Sequence, residues 1–86
     1  MTKPKLLDTI ATLNSIPIER LSLVEPDMIS IESLPNGQVG TIVEVYEEGE
    51  DTKYLVEFAD TQGCEYAMAI LKINEILVLH YDLATV

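Results

Sequence analysis

Two runs of alternating side chains facing each other across an acidic turn constrain this chain more than any other feature. Gly37-Gln38-Val39-Gly40-Thr41-Ile42-Val43-Glu44-Val45-Tyr46 enters the segment Glu47-Glu48-Gly49-Glu50-Asp51-Thr52, and Lys53-Tyr54-Leu55-Val56-Glu57-Phe58-Ala59-Asp60 returns from it. A strand points successive side chains to opposite faces, so a period of two marks a half-buried strand. Two such runs around a polar loop predict an antiparallel hairpin. Placing Tyr46 opposite Lys53 sets Val45 against Tyr54, Val43 against Val56 and Thr41 against Phe58. That face is expected to form the core. The other face pairs Glu44 with Leu55 and Ile42 with Glu57. A one-residue slip would exchange the two faces, which supports this register.

The rest of the chain supplies strands of similar length. Asp8-Thr9-Ile10-Ala11-Thr12-Leu13 alternates and predicts a first strand ending near Asn14. Residues 16–35 are punctuated by Pro17, Pro26 and Pro35, each biasing the preceding residue toward extended structure. Within them, Ile18 to Leu21 is read as a helical turn and Asp27 to Ile31 as a short strand. Leu21, Leu23, Val24, Met28, Ile29 and Ile31 give the segment enough apolar surface to pack. Leu34-Pro35-Asn36-Gly37 is a turn signal, and Gly40 suggests a bulge or a close backbone approach. After a tight connection at Thr61-Gln62-Gly63, Cys64 to Leu71 reads as a strand. Cys64, Tyr66, Met68 and Ile70 share one face of it, and Glu65, Ala67, Ala69 and Leu71 the other. Lys72 to Glu75 suits one 3-10 turn, and Ile76 to Tyr81 a last strand. This order predicts an all-β fold, a small SH3-like barrel of about five strands. It has a long first connection and a 3-10 turn before the last strand. One domain over residues 1–86 is expected, with 1–5 and 82–86 as loose tails.

Composition narrows the function. Five basic residues stand against fifteen acidic ones, a formal net charge of −10. Nucleic-acid binders draw most of their affinity from Lys and Arg on phosphates, and Lys3, Lys5, Arg20, Lys53 and Lys72 are few and scattered. Anionic membranes are disfavoured on the same ground. A basic protein partner suits this charge. With 86 residues, the chain buries only roughly 60% of its unfolded surface, which makes self-association a second expected partnership. Cys64 is the single cysteine, so no internal disulfide forms, in keeping with a cytoplasmic protein. No signal-peptide pattern follows the amino terminus. The apolar stretch from Ala67 to Leu79 is interrupted by Lys72, Asn74 and Glu75 and cannot span a bilayer.

Four separated segments, Lys5-Leu6-Leu7-Asp8-Thr9-Ile10, Gly37 to Val45, Tyr54-Leu55-Val56-Glu57-Phe58 and Leu77-Val78-Leu79-His80-Tyr81, occur in an order that resembles a family of small bacterial proteins. It is the domain of unknown function 4926 family. The link between the first strand and the Gly-x-x-Gly turn is longer here than in the family pattern, through Ile18 to Ser33. The resemblance implies a small SH3-like β fold and carries over no catalytic or cofactor residue.

The reactive side chains form no constellation in sequence. Cys64 lacks the neighbouring positive charge that would activate a thiol and reads as an inert, small buried hydrophobe in a strand. His80 stands without further ligands at metal-site spacing and reads as a structural histidine. The acidic segment Glu47 to Asp51 does not match a calcium loop. No nucleophile, phosphate-binding or dinucleotide motif is present, and neither cofactor nor metal is expected. The hairpin register offers a different kind of site, a partner surface of Ile42, Glu44, Leu55 and Glu57 extended by Glu47, Glu48, Glu50 and Asp51. Apolar residues rimmed by acids suit protein docking. The chain is therefore expected to be a non-enzymatic, acidic protein-interaction module. An antitoxin- or immunity-type partner of a basic protein is one specific form. The alternative is an accessory subunit for a small ligand or metal, with Cys64, Tyr66, His80 and carboxylates converging in a pocket.

Overall fold

The computed structural model describes residues 3–24, 32–49 and 51–79. Eight strands occur among them: β1 (Thr9–Thr12), β2 (Ile16–Pro17), β3 (Leu21–Leu23), β4 (Ser33–Leu34), β5 (Val39–Glu48), β6 (Asp51–Ala59), β7 (Glu65–Lys72) and β8 (Ile76–Val78). Short 3-10 turns at Ile18–Arg20 and Ile73–Glu75 precede β3 and β8. Six strands form one antiparallel sheet in the order β3-β7-β6-β5-β1-β8, while β2 and β4 pair separately. The fold is all-β. A three-strand meander, a 3-10 turn, and a last strand laid against the first are the SH3-like order expected. β3, from the long connection, adds a strand that alternation had not signalled. Its role is to extend the sheet along β7, where Leu21 faces Ala69 and Leu23 faces Ala67. The last strand, expected over Ile76 to Tyr81, ends at Val78; the expected strand over Asp27 to Ile31, residues 80–81 and the tail 82–86 lie outside the described residues. Within the other segment expected to be loose, Pro4 is buried and the Lys5 N–H donates to Asp8 Oδ2 at 3.0 Å.

The hairpin register holds at its tip and fails further in. Tyr46 faces Lys53, Val45 faces Tyr54 and Glu44 faces Leu55 as expected. The pairing then skips Val43, so Ile42 faces Val56 and Thr41 faces Glu57. One extra residue in a strand is a β-bulge, and it reverses the facing of everything beyond it. Ile42 is thereby turned into the core, fully buried, and Thr41 outward. The expected pairs Val43–Val56 and Thr41–Phe58 do not form. Gly40 now lies over Phe58. A Cβ built on Gly40 would stand 2.8 Å from the Phe58 ring and 2.7 Å from Val56 Cγ1. The close approach anticipated at Gly40 is therefore real, and the bulge lies three residues further on. The hairpin loop is also shorter than expected. Pairing continues through Glu47–Thr52 and Glu48–Asp51, leaving a two-residue turn that begins at Gly49 with φ +60°. Left-handed backbone of this kind matches the strand twist in two-residue hairpins.

A second bulge sits in β7. Phe58 faces Ala67 but Ala59 faces Glu65, so Tyr66 is the extra residue. Ala67, Ala69 and Leu71 share one face as expected, and it is the buried one, whereas Glu65, expected beside them, is turned to the outer face. The core comprises Ile10, Ile16, Leu34, Ile42, Tyr54, Val56, Phe58, Ala69, Leu71 and Ile76, with Leu21, Val45, Tyr66 and Val78 packed against it. Its one buried polar side chain among the described residues is Thr12. The Thr12 hydroxyl donates to Pro35 O at 2.9 Å and accepts from Gln38 N at 3.0 Å. Its backbone N–H donates to Gln38 O, and its carbonyl accepts from Gly37 N. Thr12 thus clamps the turn that delivers the chain into β5.

Candidate functional site

The outer face of β5, β6 and β7 follows from the corrected register. Glu44, Leu55 and Ile70 form one row across the three strands. Thr41, Glu57 and Met68 form the next, continued by Ser22 of β3. Leu55 and Met68 are half-buried and Ile70 is 49% exposed. An apolar strip of Leu55, Met68 and Ile70 therefore carries Glu44 and Glu57 in register beside it. Tyr46, Lys53 and Lys72 form a third row toward the hairpin tip.

The acids of this face are crowded. Glu65, carried outward by the β7 bulge, has its carboxyl pushed above the usual range. Desolvation by its surroundings contributes most, followed by the Glu57 charge and a side-chain hydrogen bond with Glu57 that needs a shared proton. Two carboxylates at one place favour protonation of one of them. Arg20 does not relieve them, because it is engaged elsewhere. Its Nη1 and Nη2 donate to Glu75 Oε2 and Oε1 at 2.6 and 2.9 Å, and Nη2 also reaches Ile70 O at 3.2 Å. This bidentate pair raises the Arg20 pKa, chiefly through that hydrogen bond, and lowers that of Glu75 for the same reason. It is the one ion pair among the described residues.

The expected surface is thus partly assembled. Glu44, Leu55 and Glu57 lie together on the outer sheet face. Glu47 and Asp51 are exposed on the hairpin arm, and Glu48 pairs with Asp51 through its backbone. Glu50 lies outside the described residues. Ile42 does not belong to the surface, for the bulge has placed it in the core. Met68, Ile70 and Glu65 do belong and were missing from the sequence reading. The signal for Met68 and Ile70 was present, since β7 alternates like its neighbours, but which face meets Leu55 depends on pairing.

Other reactive groups stand apart. Cys64, expected to be a small buried residue in a strand, is exposed in the β6–β7 connection. There the Asp60 carboxylate accepts from Gln62 N and Cys64 N, both at 2.9 Å, and shapes the turn. Tyr66 packs against the core, and His80 lies outside the described residues. The described residues contain no group of three or more His, Cys, Asp or Glu placed to hold a metal ion. Two open depressions, of about 510 and 270 Å³, flank Lys72 beside the second 3-10 turn. Asn14, Arg20, Asn74 and Glu75 line the larger, with neither Cys64 nor Tyr66. No described helix is long and apolar enough to cross a membrane.

No curated protein and no solved structure matches the chain. The family model described as Domain of unknown function (DUF4926) matches residues 6–78, from the turn before β1 to the last residue of β8, and the chain therefore belongs to that family.

Proposed function

We propose that this protein is a non-enzymatic interaction module that docks a basic protein on the outer face of β5, β6 and β7. The carrying observation is the apolar strip of Leu55, Met68 and Ile70 with Glu44, Glu57 and Glu65 around it. Apolar side chains supply burial, and the acids select a cationic partner and speed encounter. The crowded Glu57–Glu65 pair supports this reading. It costs stability in the free protein, and a Lys or Arg from a partner would relieve it. A cytoplasmic bacterial protein that shields a basic neighbour, in the manner of an antitoxin or immunity protein, fits this surface and the charge of −10.

The test is co-expression with the basic proteins encoded beside its gene, followed by affinity chromatography at low and high salt. A stable complex is expected, weakened by salt and lost in the Ile70→Lys and Glu57→Lys variants. A complex indifferent to both substitutions would remove the assignment of this face. Failure to bind any basic neighbour would remove the function.

A further inference from the structure

The six-stranded sheet has two edge strands, β3 and β8. Arg20 is the residue before β3, and Glu75 is the residue before β8. Their side chains meet at 2.6 and 2.9 Å, so the starts of the two edge strands lie side by side and the sheet curls round on itself. Each partner has a second task. Arg20 stands one place beyond the Leu21–Ala69 pair, level with Ile70, and its Nη2 also donates to Ile70 O at 3.2 Å. Glu75 Oε1 also accepts from Lys72 N at 3.0 Å and caps the second 3-10 turn.

The strand that Arg20 leads belongs to an excursion closed at its base. β2 pairs with β4, Ile18 N donates to Glu32 O at 3.0 Å, and Ile16 and Leu34 are buried in the core. Residues 18–32 leave this base and return to it. Among the described ones, Leu21 to Leu23 lie along β7, Val24 N donates to Tyr66 O at 3.0 Å, and Leu21 packs on the core. Leu21 and Leu23 are half-buried and Ser22 is exposed. A segment with few buried apolar contacts opens at a lower free energy than the core beside it.

We infer that residues 18–24 form a strap across the seam of the sheet, latched by Arg20, which opens as one unit while the meander β5-β6-β7 stays folded. Opening takes Arg20 away from Ile70 O and Glu75 and lifts β3 from β7. The β2–β4 base holds both ends of the excursion in place meanwhile. Closed, the strap covers an edge of β7 whose main chain would otherwise be open to pairing with another strand. The latch is within reach of solvent. Arg20 is 41% exposed and, with Asn14, Lys72, Asn74 and Glu75, lines the open depression of about 510 Å³. Separation of the pair therefore leaves no buried charge behind. The strap acts at the seam, so it stands or falls separately from the docking face proposed for a basic protein.

Hydrogen exchange of the full chain, followed amide by amide by NMR, tests the inference. The Val24 amide is the main probe, because it is bonded to Tyr66 O and lies four residues from Arg20. It is expected to exchange at least about tenfold faster than the slowest amides of β6, as a separate opening unit does. In Arg20→Gln and in Glu75→Gln its exchange is expected to rise about two- to fivefold, the equivalent of one exposed ion pair. Gln at position 75 keeps an acceptor for Lys72 N, so the cap survives. Arg20→Lys keeps the charge and loses the fork, and its rise is expected to be smaller. A Val24 amide that exchanges together with the slowest amides of β6 would overturn the inference, since the strap then has no opening of its own. Exchange at Val24 unmoved by both Gln variants would overturn it too, because Arg20 would then not be the latch.

Discussion

Individual residues carry unusually specific duties here. Thr12 is the buried node that joins β1 to the turn before β5, with both hydroxyl functions used. Thr12→Val keeps the shape and strands Pro35 O and Gln38 N without partners. Pro35 is exposed and Gln38 half-buried, so water takes up part of the loss; a cost of about 1 kcal/mol, at the low end for an unsatisfied polar group, is expected as a lower urea midpoint. Gly40→Ala is expected to lose about 1–3 kcal/mol by overpacking against Phe58 and Val56, and Phe58→Leu in the same chain should recover part of it. Leu7 presents the opposite case. Its φ is +72°, and its side chain is 71% exposed. Leu7 N donates to Ile42 O while Ile42 N donates to Asp8 O, so Leu7 and Asp8 together oppose Ile42. This is a bulge whose first position normally holds Gly. Left-handed backbone costs a residue with a Cβ about 1–2 kcal/mol. Leu7→Gly gives back part of that as chain entropy. A net gain of about 0.5–1 kcal/mol is expected in denaturant unfolding.

At the scale of elements, alternation revealed the strands and hid the bulges. β5, β6, β7 and the 3-10 turn before β8 were legible because period-two runs and turn residues mark them directly. The facing of Ile42 and of Glu65 was not, because a bulge adds one residue without any fixed composition, and Val43 and Tyr66 are ordinary strand formers. β3 was hidden for another reason: a three-residue strand has too few residues to show a period. Of the candidate surface, Glu44, Leu55 and Glu57 were therefore readable, Ile42 was assigned to the wrong face, and Glu65, Met68 and Ile70 needed the pairing of β6 with β7. Element contacts also set the pH response. Glu75, with its pKa lowered by Arg20, contributes stability above its unfolded pKa and loses it as pH falls through the lower folded value. Arg20 is 41% exposed, so solvent screening keeps the pair to about 0.5–1 kcal/mol, and Glu75→Gln should lose that much at neutral pH. Glu65 has the reverse sign. Its raised pKa means a cost at neutral pH that disappears as pH falls and the proton is taken up. Glu65→Gln is thus expected to raise the neutral-pH melting temperature, with the gain shrinking toward acid conditions. A Glu65→Gln chain less stable than its parent at neutral pH would show that the carboxyl pair carries no strain.

For the whole molecule, charge is the dominant long-range term. A net charge of −10 on 86 residues opposes compaction, and the described residues hold one ion pair to set against it. Moderate salt should therefore raise the melting temperature even though it weakens Arg20–Glu75; a fall with salt would mean that local pairs outweigh the overall repulsion. Strand order has a further consequence, in time. The meander β5-β6-β7 closes through short connections, whereas β1 lies between β5 and β8, pairing Ile10 with Gly40 on one side and Val78 on the other. Contacts between distant positions wait on loop closure. β1, made before both β5 and β8, is thus among the last strands to find both its neighbours. Until β8 emerges, one edge of β1 stays open, and the six-stranded sheet cannot be completed.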